Sequence, residues 1–338
     1  MTEECISLAH GNGGRLTREL IDEVFVKYGK HPNLDTLNDA ATLTLPNVNI
    51  CMTTDSFTVQ PLEFPGGNVG SLAVHGTVND LAVSGALPLY LSTSFIIEEG
   101  VTMACLIRIV KAMAKAAHQA NVRIVTGDTK VVPKGQGGGI YINTTGIGVV
   151  KGHVELNINR VRAGDHIVVS GPIGDHGVAV LLAREEFGLE SQLVSDSASV
   201  YPLVDVIDTL NGVKFLRDPT RGGLAMVMHE VAQATNLTIR LNEASIPLSD
   251  QVESVCNMLG YDPYYLASEG RVVAIVSPEQ SDELVALWRA CEYGQDAAII
   301  GEVLARHADQ HCPVSIFTHI GGERLLDQLE DDPLPRIC

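Results

Sequence analysis

Four aspartates in the first half of the chain stand where a turn or a strand end is expected: Asp39 in NDAA, Asp55 in TTDSF, Asp80 in VNDLAVSGA and Asp128 in TGDTK. Carboxylates are hard oxygen ligands, and several that converge suit Mg2+ shared with substrate phosphates. Taken one at a time they are equally four turn or cap aspartates. The glycine-rich turn HGNGG, with Gly11, Gly13 and Gly14, precedes a helical pattern and could offer backbone N–H groups to phosphate. It lacks the GK[ST] ending of a P-loop and also suits a plain N-terminal loop. SGPIGDHG (170–177) and RDPTRGG (217–223) open helices in a similar way. Lys130 follows Asp128 by two residues and is either a phosphate contact, a base if desolvated, or a solvated lysine. Glu269, in ASEGRVV, sits in a turn of small residues before a strand, where a surface glutamate is the plain reading. His307, His311 and Cys312 have soft-metal ligand types, but HADQHC shows no fourth ligand.

The end of the sequence poses a separate question. It reads DDPLPRIC and places Cys338 at the tip of a polar, proline-spaced segment that should be solvated. The seven cysteines, at 5, 51, 105, 256, 291, 312 and 338, are odd in number and form no CxxC pair. A reduced, cytoplasmic setting is the simpler expectation.

The elements that must position these residues follow from periodicity. Residues 15–29 carry apolar residues at helical spacing and stop at Gly29. NICMTTDSF, LYLSTSFII, VRIVTGD and GIYINTTGIGVV read as strands; NVGSLAVHGTVNDLAVSGA, despite its glycines, and MACLIRIVKAMAKAAHQA read as helices. Residues 151–164 lack a long apolar period, which sets a domain boundary near 155. The second half again mixes strands (DHIVVSG, LTIRL, RVVAIVS, AAIIGEV) with helices near 175–187, 222–235 and 281–291. The expected class is α/β, in two domains of similar size. Residues 326–338 read as a tail, acidic and uncapped, with Pro333 and Pro335.

Composition excludes some partners. A formal net charge of −18 argues against nucleic acid or an anionic membrane, both of which require a basic face. No apolar run of 18 residues is present, and the N-terminus does not read as a signal peptide.

Taken in order, HGNGG, NDAA, TTDSF, VNDLAVSGALP, TGDTKVV, SGPIGDHG and RDPTRGG resemble the aminoimidazole ribonucleotide (AIR) synthetase superfamily. With GDTKVV and the ending PRIC, the chain resembles within it the HypE family, the carbamoyl dehydratases of NiFe-hydrogenase maturation, from about residue 7 to the last. The resemblance implies an ATP-binding, dimerising domain at 1–155, a second α/β domain at 156–325 and a flexible tail at 326–338. It implies ATP and Mg2+ as cofactors, a homodimer, carbamoylation of the terminal cysteine by the carbamoyltransferase HypF, ATP-dependent dehydration to a thiocyanate, and transfer of the cyano group to iron on a HypC–HypD scaffold. Carried over residue by residue, Asp39, Asp55, Asp80 and Asp128 become Mg2+–ATP ligands. Gly11, Gly13 and Gly14 cover the nucleotide; Thr129, Arg217, Asp218 and Arg221 join its site. Lys130 and Glu269 share phosphate contact and proton removal, with the base unassigned between them. NDAA departs from the pattern: Asn38 stands where related enzymes often carry a second aspartate, which puts metal ligation there in doubt.

This reading gives Cys338 a purpose. A free thiol titrates near 8.5, and the chain-end carboxylate discourages the thiolate, so Cys338 reads as a substrate group together with Lys130 and Glu269 as its catalysts. The 13 residues from 326 span up to roughly 43–47 Å. Two rivals remain: a selenophosphate synthetase-like enzyme, for which Cys5 lacks a glycine-rich mobile context, and a non-catalytic thiol carrier, which would show no ATP hydrolysis dependent on a carbamoylated tail.

Overall fold

A strand buried on one face shows itself by alternation, and Val48–Phe57 alternates from Cys51 onward, with Cys51, Thr53 and Phe57 buried and Met52, Thr54 and Ser56 exposed. In the computed structural model, which describes residues 14–20, 22, 40–45, 48–151, 155–184, 191–306 and 312–329, this strand belongs to the first of two sheets. The chain runs α1 (Arg15–Leu20), β1 (Ala41–Leu45), β2 (Val48–Phe57), β3 (Glu63–Phe64), β4 (Gly67–Asn68), α2 (Val69–Val83), β5 (Ala86–Glu98), α3 (Met103–Gln119), β6 (Arg123–Val132) and β7 (Ile140–Val150). The first sheet has the order β1-β2-β7-β5-β6. All its pairs are antiparallel except β5–β6, which are parallel and joined by α3 as the crossover.

Helix α2 explains its own glycines. Asn68 caps it, its side chain accepting from the N–H groups of Gly70 and Ser71, and Ser71 returns a hydrogen bond in a capping box. Nearly every residue of α2 is buried, because the helix lies between the first sheet and the second domain. A Cβ at Gly70 would lie 2.4 Å from the carbonyl oxygen of Ile109, and one at Gly76 would lie 2.7 Å from the ring of Phe57. Close packing at these two positions offsets the helix propensity that glycine gives up.

The second domain follows as β8 (His166–Val169), α4 (Asp175–Ala183), α5 (Tyr201–Asp205), β9 (Val213–Arg217), α6 (Gly223–Thr235), β10 (Thr238–Asn242), α7 (Asp250–Leu259), β11 (Val273–Val276), α8 (Pro278–Arg289), β12 (Ala298–Leu304), β13 (Val314–Phe317) and β14 (Glu323–Leu325). Its sheet order is β14-β13-β10-β12-β8-β11-β9. Residues of α6 pack on one face and those of α5 and α8 on the other, so β11 reads as an unbroken apolar run. Trp288 is fully buried in the second layer and donates its Nε1–H to the carbonyl of Leu203 at 2.9 Å. Among the described residues no helix is long and apolar enough to cross a membrane.

The stretch expected to be tail begins as part of the core. Leu326 is fully buried, donates its N–H to Val314 and accepts from His229 Nε2 at 2.7 Å. The carbonyl of Asp327 accepts from the Tyr265 hydroxyl, and that of Leu329 from the N–H of Arg15. Acidic composition set the expectation, but one buried leucine and four satisfied backbone groups hold 326–329 against β13, α6, Tyr265 and α1. Residues 330–338, including Cys338, lie outside the described residues.

Candidate functional site

Strand parity and one turn of helix bring the acidic side chains together. In β2, Thr53 and Asp55 share the face turned toward α2, where the Thr53 hydroxyl donates to Asp80 Oδ2 at 2.9 Å. From the second domain comes the turn after β9. Gly222 and Gly223 have φ of +74° and +59°, and a Cβ at Gly223 would lie 2.6 Å from the Leu266 carbonyl oxygen. Only glycine suits that backbone, which explains RDPTRGG. The turn 268–270 is bound to it through the Ser268 N–H and the carbonyl of Pro219, at 3.0 Å. Asp55, Asp80, Asp218, Arg221 and Glu269 thereby line one cavity of about 210 Å3 at the junction of the two domains.

Four carboxyl groups around one guanidinium repel each other. Burial raises Asp80 well above the ordinary carboxylate range; the charges of Asp218 and Asp55 raise it further, and only the Thr53 hydroxyl and Arg221 oppose them. Burial, then Asp218, Asp196 and Asp55, push Glu269 well up as well. Asp218 is raised to about 6 by burial, with Arg217 opposing. Asp55 is raised by burial and restrained by Arg221. Such a set is relieved either by taking up protons or by receiving cationic charge.

The remaining residues singled out by sequence lie elsewhere. Arg217 is buried at the end of β9, with Nη2 3.1 Å from Glu230 and its guanidinium 5.6 Å from the Phe215 ring centroid, so it borders the cavity without lining it. Gly14 opens α1, which packs on α6 through Arg18 and Gln233. Asp128, Thr129 and Lys130 lie within the edge strand β6, not at its end. The row Asp55–Thr144–Thr93–Gly127 crosses the sheet on the face turned to α2. Asp128 and Lys130, one and three residues beyond Gly127, project from the opposite face, where Ile96 is also exposed. Thr129 shares the α2 face but is exposed three strands from Asp55. Cys312 is a buried thiol whose Sγ lies 3.2 Å from the carbonyl oxygens of both Val314 and Leu326. Gly11, Gly13, Asp39, Cys5, His307 and His311 lie outside the described residues.

Several positions that shape the cavity carried no separate signal. Thr53 precedes Asp55 by two residues, and that period is the only sequence hint of its place. Asn79 adjoins Asp80 in the same VND stretch, yet points to the second domain. Asp196 is buried beneath Glu269 and accepts from the N–H groups of Glu269 and Gly270. Nothing in its local sequence marks it.

Comparison with known proteins gives these residues a context. The N-terminal domain model of AIR synthase related proteins matches residues 37–150, and the C-terminal domain model matches residues 162–311. The carbamoyl dehydratase HypE of Bradyrhizobium diazoefficiens is 46% identical over 336 residues, covering 99% of this chain and 96% of that protein. A crystal structure of a HypE–HypF complex matches with a TM-score of 0.84 and 44% identity, over 92% of this chain and 99% of that one. A HypE structure in complex with ATP matches with a TM-score of 0.81 and 43% identity, over 99% and 100%.

Proposed function

From the premise that this chain belongs to the AIR synthase related family, and within it to the HypE carbamoyl dehydratases of hydrogenase maturation, we propose that it dehydrates an S-carbamoyl group on its own Cys338 at the junction cavity. The observation that carries the assignment of the site is the convergence of Asp55, Asp80, Asp218 and Glu269 on Arg221, with Leu329 packed beside the same turn. Leu329 packs 3.6 Å from the position a Cβ would take on Gly222, the residue after Arg221. Nine residues follow it and span at most about 30–32 Å, enough to return Cys338 to the cavity.

The chemistry follows from what a carboxamide lacks. Its oxygen is a poor leaving group, and transfer of the γ-phosphoryl group of ATP to that oxygen makes it a good one. Two N–H protons then have to leave as the C–O bond breaks, so that S–C(=O)NH2 becomes S–C≡N and the oxygen departs in phosphate. Glu269 is the base of choice, because it lines the cavity and burial raises its proton affinity. Lys130 projects from the other face of the sheet within one chain. Arg221, which lines the same cavity, would bind phosphate oxygens.

Mg2+ suits the donor set. Among the described residues no three His, Cys, Asp or Glu side chains already converge in ion-binding geometry, but Mg2+ takes one or two carboxylates and completes its shell with water and phosphate. Asp80 and Asp55, with Asp218 across the cavity, would hold it. Bound there, it supplies the positive charge that the four carboxyl groups lack.

The assembly belongs to the same reading. The face of the first sheet opposite α2 exposes Met52, Tyr90, Ile96, Tyr141 and Ile147, and a second copy pairing isologously would cover it and bring Asp128 and Lys130 into the interface. HypF would carbamoylate Cys338, and a HypC–HypD complex would accept the cyano group, in the cytoplasm. Mass spectrometry of Cys338 after incubation with HypF, carbamoyl phosphate and Mg2+–ATP tests the function: the thiol should gain a carbamoyl group and then lose one water. A carbamoyl group that persists with ATP present would refute it.

A further inference from the structure

Glu269 is useful as a base only if its carboxyl group is aimed at the cavity, and its backbone is held from both domains. The Glu269 N–H donates to Asp196 Oδ1 at 3.1 Å and the Gly270 N–H to Asp196 Oδ2 at 3.3 Å. The Glu269 carbonyl accepts from the N–H of Ala198 at 3.4 Å and from Asn79 Nδ2 at 3.1 Å. Asn79 belongs to α2 of the first domain and is fully buried. Its second N–H donates to the Ala198 carbonyl at 3.0 Å, and its Oδ1 accepts from the Val200 N–H at 2.9 Å. The side chain therefore bonds two separated segments of the second domain at once. Its neighbour Asp80, one residue on and about 100° round the helix, faces the cavity. Gly270 leaves no slack: a Cβ there would lie 1.9 Å from the carbonyl oxygen of Asp196.

Resting on the assignment of Glu269 as base, we propose that Asn79 is a positioning residue for the dehydration, reaching across the domain junction to fix the Glu269 backbone so that its carboxyl group stays aimed at the carbamoyl nitrogen. Asp196 holds the same turn from the other side. The base is then set only when the two domains are docked, since the amide that fixes it comes from the first domain and the carboxylate from the second. A buried asparagine with all three of its polar contacts satisfied across a junction is costly to misplace, because an alternative packing would leave several polar groups unpaired.

The test follows one turnover of the full-length, S-carbamoylated protein with Mg2+–ATP, reading loss of water at Cys338 by mass spectrometry. Asn79→Ala should slow that step by roughly 10- to 100-fold, the range expected when a catalytic group is displaced by about 1 Å, with Mg2+–ATP affinity changed less than about twofold. In a Glu269→Gln background, itself slow, adding Asn79→Ala should slow the step by no more than about twofold, because the two residues act as one unit. Hydrogen exchange at the Glu269 and Gly270 amides should quicken in Asn79→Ala while that of β11 stays protected. Equal slowing in both backgrounds, or parental protection of the two amides, would overturn the proposal. Glu269→Gln at the parental rate would instead overturn the choice of base, and this proposal with it. Should Asn79→Ala fail to accumulate folded, Asp196→Asn carries the same expectations through the N–H side of the turn.

Discussion

Replacing Asp218 by asparagine should stabilise the ligand-free protein at pH 8 and weaken its use of Mg2+–ATP. The carboxyl titrates near 3.8 in an unfolded chain and at about 6 here, chiefly because it is buried. A folded pKa raised above the unfolded one means that the contribution to stability is fully present below about 3.8 and is lost as pH rises through about 6. The loss at pH 8 is the difference of the two values times 1.36 kcal/mol, on the order of 3 kcal/mol. Asparagine keeps the shape and the backbone carbonyl that accepts from the Thr220 N–H, but carries no charge to bury. Asp80 and Glu269, both raised in part by the Asp218 charge, relax as well. At roughly 2–4 °C per kcal/mol, the variant should melt up to about 6–12 °C above the parent at pH 8, and close to it at pH 4. Calorimetric scans at both pH values, with and without Mg2+–ATP, measure this. The parent should gain more from the ligand than the variant does. A variant that melts at or below the parent at pH 8, or by the same margin at both pH values, would refute the argument from buried charge.

Thr53→Val removes the hydroxyl that donates to Asp80 at 2.9 Å. A hydrogen bond to a charged group is worth about 1.5–3 kcal/mol, so calorimetry should show Mg2+–ATP affinity falling by roughly 10- to 100-fold, and unchanged affinity would remove Asp80 from the nucleotide site. Cys338→Ala should melt within roughly 0.5 kcal/mol of the parent and bind Mg2+–ATP normally, while carbamoyl label vanishes; label mapped to Cys291 or another cysteine would overturn the terminal thiol as substrate. Sedimentation at micromolar concentration should show a dimer, and Ile96→Glu on the open sheet face should shift it toward monomer. A fully active parental monomer would sink the dimer.

Element types were legible because period and punctuation agree in them. The alternation of β2, the amphipathic face of α3 with Ile109, Met113, Ala116 and Ala117 buried, and the β9–α6 turn closed by two glycines each state their own structure. The cavity was legible in part, because Asp55, Asp80, Asp218 and Arg221 sit in short motifs. What the motifs could not state is which face a residue takes. Asp55 and Asp128 both read as aspartates closing a β-rich run, yet the register puts Gly127, not Asp128, in the row with Asp55. One position of parity separates a cavity residue from one on the open face.

The same limit applies more strongly to residues that act on backbone. Thr53 and Asp196 bond to groups far away in sequence within one domain, and Asn79 bonds to carbonyls and an N–H group whose positions depend on how two domains dock; no local pattern encodes either. Yet the docking has a physical cause within this chain. A cluster of buried carboxyl groups destabilises whatever holds it, so the structure around it must be overdetermined. Here it is held by the nearly wholly buried α2, whose Ala82 and Val83 join the apolar layer of the second domain, and by Asn79 on the same helix. Hydrophobic burial supplies the driving force and the asparagine supplies the register. A helix that served only as core would have an apolar residue at position 79, and the junction would then be free to slide without leaving a polar group unpaired. The presence of asparagine there, one residue before Asp80, ties the alignment of the domains to the alignment of the acidic cavity.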